Sequence, residues 1–139
     1  MKIQKKTIEI QNDEVLNYLK IRGWYNTAKQ EVIKRNILRT EAANMGIRIA
    51  AEELQEAVDM FRILRNLNKV KDTENWLKDH QIDFEALQDY LEINLLKMKI
   101  IEKIEKAKEF ESLYQYPQVK EKMRNIIYNE WISNKLQGY

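Results

Sequence analysis

This sequence predicts an all-α fold, a single compact domain of about six helices, on three observations. Only three glycines and one proline occur in 139 residues, so regular elements are long and turns few. Apolar residues recur three and four positions apart through most of the chain, the period of a helix with one buried face. Residues that start or stop helices, among them Gly23, Gly46, Asp83, Pro117 and Gly138, fall between those stretches. No internal repeat, low-complexity tract or long linker divides the chain. Residues 1–139 therefore read as one helical domain, with an extended or flexible segment over residues 1–12.

The elements follow in order. Thr7-Ile8-Glu9-Ile10 alternates apolar and polar residues, a strand signal too short to define an element. Asn12 or Asp13 caps a first helix whose inner face carries Val15, Leu16 and Leu19, and Gly23 ends it. A second helix runs from about Trp24 to Met45, with Tyr25, Ala28, Val32, Leu38, Ala42 and Met45 along one stripe and Ile33 and Ile37 widening it. Gly46 stops it, since a glycine just past a helix end adopts the left-handed conformation that closes the last turn. Ile47-Arg48-Ile49 is an extended link. Glu52 and Glu53 then favour the positive end of a third helix, roughly Ala51 to Leu67, with Leu54, Val58, Phe61 and Leu64 inward.

Asp72 or Thr73 is expected to cap a short fourth helix containing Trp76 and Leu77. Asp83 caps a long fifth one. Its stripe is Phe84, Leu87, Leu91, Leu95, Met98 and Ile101, flanked by Leu96, Ile100 and Ile104, and is wide enough for two neighbouring helices. An aromatic-rich segment from Phe110 to Tyr116 leads to Pro117, a residue well suited to the first turn of the last helix. Val119, Met123, Ile126, Ile127 and Trp131 are expected on the buried face of that helix.

Composition excludes several classes of function. Hydrophobic residues make up 44% and charged residues 33%, as in a folded helical domain rather than a disordered chain. With no cysteine, disulfides, thiolate metal sites and cysteine nucleophiles are all ruled out. The lysines of Met1–Lys6 have no apolar run behind them, so they do not form a secretory signal, and no segment has the uninterrupted apolar length of a membrane span. The expected location is the cytoplasm.

No catalytic constellation is visible. His80 is the sole histidine, at the expected end of the fourth helix, where a polar ring meets solvent or caps carbonyls. Ser112 and Ser133 lie outside any nucleophile motif. Glu52, Glu53 and Glu56 could bring carboxylates to one helix face, but a hard cation needs further oxygen ligands, and a helical di-metal site needs more than one histidine. No metal or other cofactor is expected, and no glycine-rich phosphate loop occurs.

The net charge of +2 is unevenly spread: residues 1–70 carry +4 and residues 71–139 carry −2. A basic first half could attract an acidic partner. Two helices joined at Gly46 superficially resemble a helix-turn-helix, yet Ala50-Ala51-Glu52-Glu53 stands where a DNA-reading helix presents basic or amide side chains. The lysines Lys97, Lys99, Lys103, Lys106 and Lys108 alternate with Glu102, Glu105 and Glu109, which partly cancel them. Nucleic-acid binding is therefore only a minor alternative. Trp24, Tyr25, Met45, Met60, Phe61, Tyr114 and Tyr116 are the candidates for a peptide-binding groove, because methionine repacks easily and aromatic rings add contact area. The competing assignment for each is an ordinary core or boundary residue.

The run Glu41-Ala42, Gly46-Ile47-Arg48-Ile49, Glu53-Leu54 and Phe61-Arg62 resembles the helical N-terminal domain of SurA-type periplasmic foldases, and looks especially like related cytoplasmic parvulin-type peptidyl-prolyl isomerases. Trp76-Leu77, Phe84 and the Leu91/Leu95 stripe continue the similarity. In such proteins the chain enters an isomerase domain and returns as a final helix, which Ile127-Tyr128-Asn129-Glu130-Trp131-Ile132 resembles. Only a short connection around residues 110–117 stands where the isomerase domain would be, so isomerase activity is not implied. Ala50 and Ala51 also replace the family's usual capping Ser, Thr or Asp, at a cost of about 1 kcal/mol. The resemblance implies a non-enzymatic, chaperone-like module that binds unfolded or precursor peptide, alone or as accessory to a peptide-modifying enzyme. A structural adapter or homodimerising domain is the alternative.

Overall fold

A computed structural model describes residues 8–108 and 115–139. They form six helices: α1 (Asn12–Ile21), α2 (Trp24–Asn44), α3 (Ala51–Leu64), α4 (Val70–Asp79), α5 (Phe84–Lys108) and α6 (Pro117–Leu136). No strand occurs among the described residues, so the fold class is all-α. Ile8–Ile10 has no regular structure, and Thr7 lies outside the described residues. Among the described residues no helix is long and apolar enough to cross a membrane. The chain divides into two compact units, Met1–Lys34 and Arg35–Tyr139, and α2 runs through the boundary.

In the first unit, Gly23 takes a φ of +77° between α1 and α2. Trp24 meets Tyr18 edge-on at 5.8 Å and lies under the Arg22 guanidinium at 4.8 Å. The Lys20 ammonium stands 5.2 Å from the centre of the Tyr25 ring. No residue from 8 to 34 is buried, and Val15 and Leu16, expected inside, are exposed.

In the second unit three helices end by one device. The N–H of Ile47 donates to Ala42 O (2.9 Å) and that of Gly46 to Ala43 O (3.0 Å), with φ +70° at Gly46. Leu67 and Asn66 repeat the pattern on Arg62 O (2.8 Å) and Ile63 O (3.1 Å), and Ile82 and Gln81 on Leu77 O and Lys78 O. These paired bonds form Schellman closures, whose middle residue must be left-handed. Asn66 and Gln81 meet that requirement at φ 57° and 55°. The closure at Asn66 ends α3 at Leu64, three residues before the expected Leu67, and turns Leu67 back into the core.

Helix starts also differ in two places. α1 begins at Asn12 itself, with Gln11 at the cap position and no side-chain cap hydrogen bond, so neither Asn12 nor Asp13 caps it. α4 begins at Val70, not after Asp72 or Thr73. Asp72 is its third residue, and its carboxylate reaches back to accept the Lys69 N–H at 3.3 Å. Thr73 is buried, accepting from Arg62 Nε at 2.9 Å and donating to Leu67 O at 3.3 Å, so it braces the α3–α4 turn. Glu53 makes the same backward reach to the Ala50 N–H (3.4 Å), partly replacing the cap that alanine cannot supply. Asp83 caps α5 as expected, accepting the Ala86 N–H at 2.7 Å.

α5 is the central helix of this unit and packs against both α3 and α6. Val58, Phe61, Leu67, Leu87 and Leu91 form one buried cluster, with Leu54, Ala57, Trp76 and Leu77 packed on it. The other buried side chains are Ile37, Leu38 and Ala42 of α2, Ile93, Leu96, Ile100 and Ile101 of α5, and Ile127, Tyr128 and Ile132 of α6. Two stripes are thus rotated from expectation. On α5, Phe84 and Met98 are exposed and Ile93 is inside. On α6, Val119 and Ile126 face solvent, Met123 and Trp131 are half-buried, and Ile132 is inside. Each sequence stripe allows two neighbouring phases, and the partner helices select one.

Polar contacts tie the helices together. Arg35 donates to Asn94 Oδ1 (2.8 Å) and Tyr90 O (2.7 Å), its guanidinium 4.6 Å from the centre of the Tyr90 ring. Lys135 pairs with Glu41 at 3.4 Å, and the Tyr139 hydroxyl donates to Glu41 at 3.0 Å. Lys99 Nζ donates to Glu53 Oε1 (2.8 Å) and Arg48 O (3.1 Å), holding the extended link against α5. The Lys99 hydrogen bond, with that from the Ala50 N–H, holds the Glu53 carboxyl below the usual glutamate range.

Candidate functional site

Helical periodicity builds a groove between α5 and α6. Asn94, Lys97, Met98 and Ile101 fall on one face of α5, at intervals of three, one and three residues. Pro117, Lys120, Glu121, Arg124 and Asn125 do the same on α6. Together they line about 480 Å³. Ile101, buried, and Met98, 42% exposed, give the groove its apolar floor, and Pro117 adds to it at the first turn of α6.

The rim is polar and predominantly cationic. Lys97 Nζ lies 4.2 Å from the centre of the buried Tyr128 ring, which fixes the ammonium by cation–π attraction without neutralising it. Arg124 donates from Nε to Glu105 Oε1, an ion pair that joins α6 to α5 beside the groove. Asn94 accepts from Arg35 through Oδ1, which leaves its NH₂ group as a donor. Asn125 brings a second amide.

The residues singled out from the sequence have different fates. Trp24 and Tyr25 belong to the first unit and are partly exposed there. Met45 is half-buried at the end of α2, and Met60 is 55% exposed on α3. Phe61, only 8% exposed, is a core ring, packed edge-on against Trp76 at 5.2 Å and covered by the Arg65 guanidinium at 3.9 Å. Tyr116 is exposed immediately before Pro117, and Tyr114, like Phe110, lies outside the described residues. None of the six described residues lines the α5–α6 groove. Its residues were missed because Met98 and Ile101 match the core stripe of α5; Ile101 is indeed buried there, and Met98, 42% exposed, is the accessible one.

His80 ends α4, where its ring stacks on Trp76 at 4.2 Å and its Nδ1 lies 2.8 Å from Trp76 O. A carbonyl can only accept, so Nδ1 carries the proton and the ring caps the helix. Among the described residues no three His, Asp or Glu side chains are grouped as metal ligands. Glu53, one of the three acidic candidates, is held by Lys99.

No family model matches the chain, and no curated protein or solved structure matches it significantly.

Proposed function

We propose that this chain is a cytoplasmic, non-enzymatic helical module that holds an extended peptide segment, unfolded or precursor, in the α5–α6 groove. The observation that carries this reading is the lining: an apolar floor of Met98, Ile101 and Pro117 between amide and cationic side chains. A flexible thioether adapts to varied apolar side chains, and the Asn94 and Asn125 amides suit the exposed N–H and C=O groups of an unpaired backbone. The volume lies within the range of pockets that take one small ligand or a few side chains. The helix punctuation around Gly46 that resembles a foldase frame supports the same role, and the absence of cysteine suits a reducing compartment.

Fluorescence anisotropy with labelled unstructured peptides, together with suppression of client aggregation, tests it. Saturable binding that Met98→Asp weakens is expected, since a carboxylate in the floor opposes burial against an apolar side chain of the peptide. Absence of both binding and suppression would refute the reading. A second reading, an adapter that pairs with a partner or another copy, is favoured by α1, none of whose residues is buried despite an apolar side carrying Val15, Leu16 and Leu19. Sedimentation at varied concentration separates the two: a tight dimer supports the adapter.

A further inference from the structure

The lysines and glutamates of α5 alternate in sequence, and the helix gathers three of the lysines along one face, with Glu102 beside them. Lys99, Lys103 and Lys106 are four and three residues apart, on one face, and span about 10 Å at 1.5 Å per residue. Glu105, nominally between them, is taken by Arg124 of α6. With Arg48, Glu102, Gly46 and Ile47, the three lysines line an open cleft of about 390 Å³ at the α2–α3 joint.

Four cations therefore converge against two carboxylates, Glu102 in the lining and Glu53 on Lys99. Arg48, Lys103 and Lys106 are exposed and form no ion pair or hydrogen bond through their side chains with the described residues. Lys99 uses two of its three N–H groups on Glu53 Oε1 and Arg48 O, which anchors the link carrying Arg48 beside the lysine row. The same concavity is thus lined by one arginine and a row of lysines.

We propose that this cleft binds a linear oligophosphate, two or more phosphoryl groups in a chain. The guanidinium fork of Arg48 matches the oxygens of one phosphoryl group, and Lys103 and Lys106 act as point charges on the next. The spread of the cations along the helix axis selects a chain of anionic groups over a single carboxylate. Among the described residues no aromatic side chain lines the cleft, so none of them offers a nucleobase a stacking surface. Occupancy of the cleft is independent of peptide binding at the α5–α6 groove.

Isothermal titration calorimetry of the full chain with inorganic triphosphate, without divalent metal, tests it. Binding is expected at about 50 mM salt and should weaken markedly by about 200 mM, since it releases counterions. The double variant K103Q/K106Q should lose at least about tenfold in affinity, and R48Q a comparable amount, whereas K71Q on α4 should bind as the parent does. Adenosine triphosphate should bind as inorganic triphosphate does, and adenosine not at all. The proposal is overturned by no binding of triphosphate, by unchanged affinity in K103Q/K106Q, or by adenosine triphosphate or oligothymidylate binding at least tenfold tighter than triphosphate. All four substituted cations are exposed, so circular dichroism of the variants should match the parent.

Discussion

Substitutions at Gly46 isolate backbone strain from side-chain packing. The residue has φ +70°, and a Cβ built on it meets nothing within 4 Å, so any cost arises from the conformation alone. The left-handed region costs an ordinary L residue about 1–2 kcal/mol. Removing a glycine also stiffens the unfolded chain, which offsets about 0.4–1 kcal/mol. Gly46→Ala should therefore destabilise by about 0.5–1 kcal/mol. Gly46→Val, with a branched Cβ in a region that β-branched residues avoid, should cost about 2 kcal/mol, or roughly a thirtyfold fall in the folded-to-unfolded ratio. Gly46→Asn should be near neutral, because asparagine tolerates this region. Urea unfolding followed by far-UV circular dichroism measures all three. If Val matches the parent, or if Asn is as damaging as Val, the Schellman closure at Gly46 does not set the stability of the joint.

Gln81→Gly should stabilise the protein by about 0.5 kcal/mol, since it relieves a non-glycine residue at φ 55°, and urea midpoints will record the gain. Ile127→Ala should cost about 3 kcal/mol and Ile126→Ala less than about 0.5, because the first is 5% exposed and the second 57%; equal losses would contradict the buried face of α6. Glu53→Gln should be less stable than the parent at neutral pH. The two should converge in acid, because a lowered folded-state pKa gives stability that is present above the unfolded value and lost as pH falls through the folded one. Tyr139→Phe should show the opposite pattern. The hydrogen bond to Glu41 raises the Tyr139 pKa, so the parent's advantage holds below the unfolded value and disappears as pH rises through the folded one, as melting at graded pH will show.

Features written in single residues were legible in the sequence. Gly46, Asp83 and Pro117 each specify one backbone event, and the helix boundaries at those points agree with it. Asn66 and Gln81 close helices as Gly46 does: asparagine is a known helix-ending residue, overlooked because the apolar stripe runs on to Leu67, whereas glutamine is common inside helices and only the local hydrogen bonding reveals its role. Periodicity located the apolar side of α5 and α6 to within one residue of phase. The choice between Ile126 and Ile132, or Met98 and Ile93, was made by neighbouring helices that the sequence of one element does not contain. The same limit hid the α5–α6 groove and the lysine row of α5. Both depend on where a second element stands: α6 for the groove, and the Arg48 link for the row.

α2 has a consequence for the order of unfolding. Starting a helix is costly because several residues must be fixed for a single hydrogen bond, whereas extending one needs only a residue at a time. Ile37, Leu38 and Ala42 are fixed in the core, so the C-terminal half of α2 supplies a permanent nucleus from which residues 24–34 continue. That N-terminal stretch has no buried side chain, and beyond the ring contacts of Trp24 and Tyr25 with Tyr18, Lys20 and Arg22 it is retained by propagation, so it should open before the core does. Amide exchange along one unbroken helix should therefore change abruptly near Arg35, rapid on the N-terminal side and slow on the other.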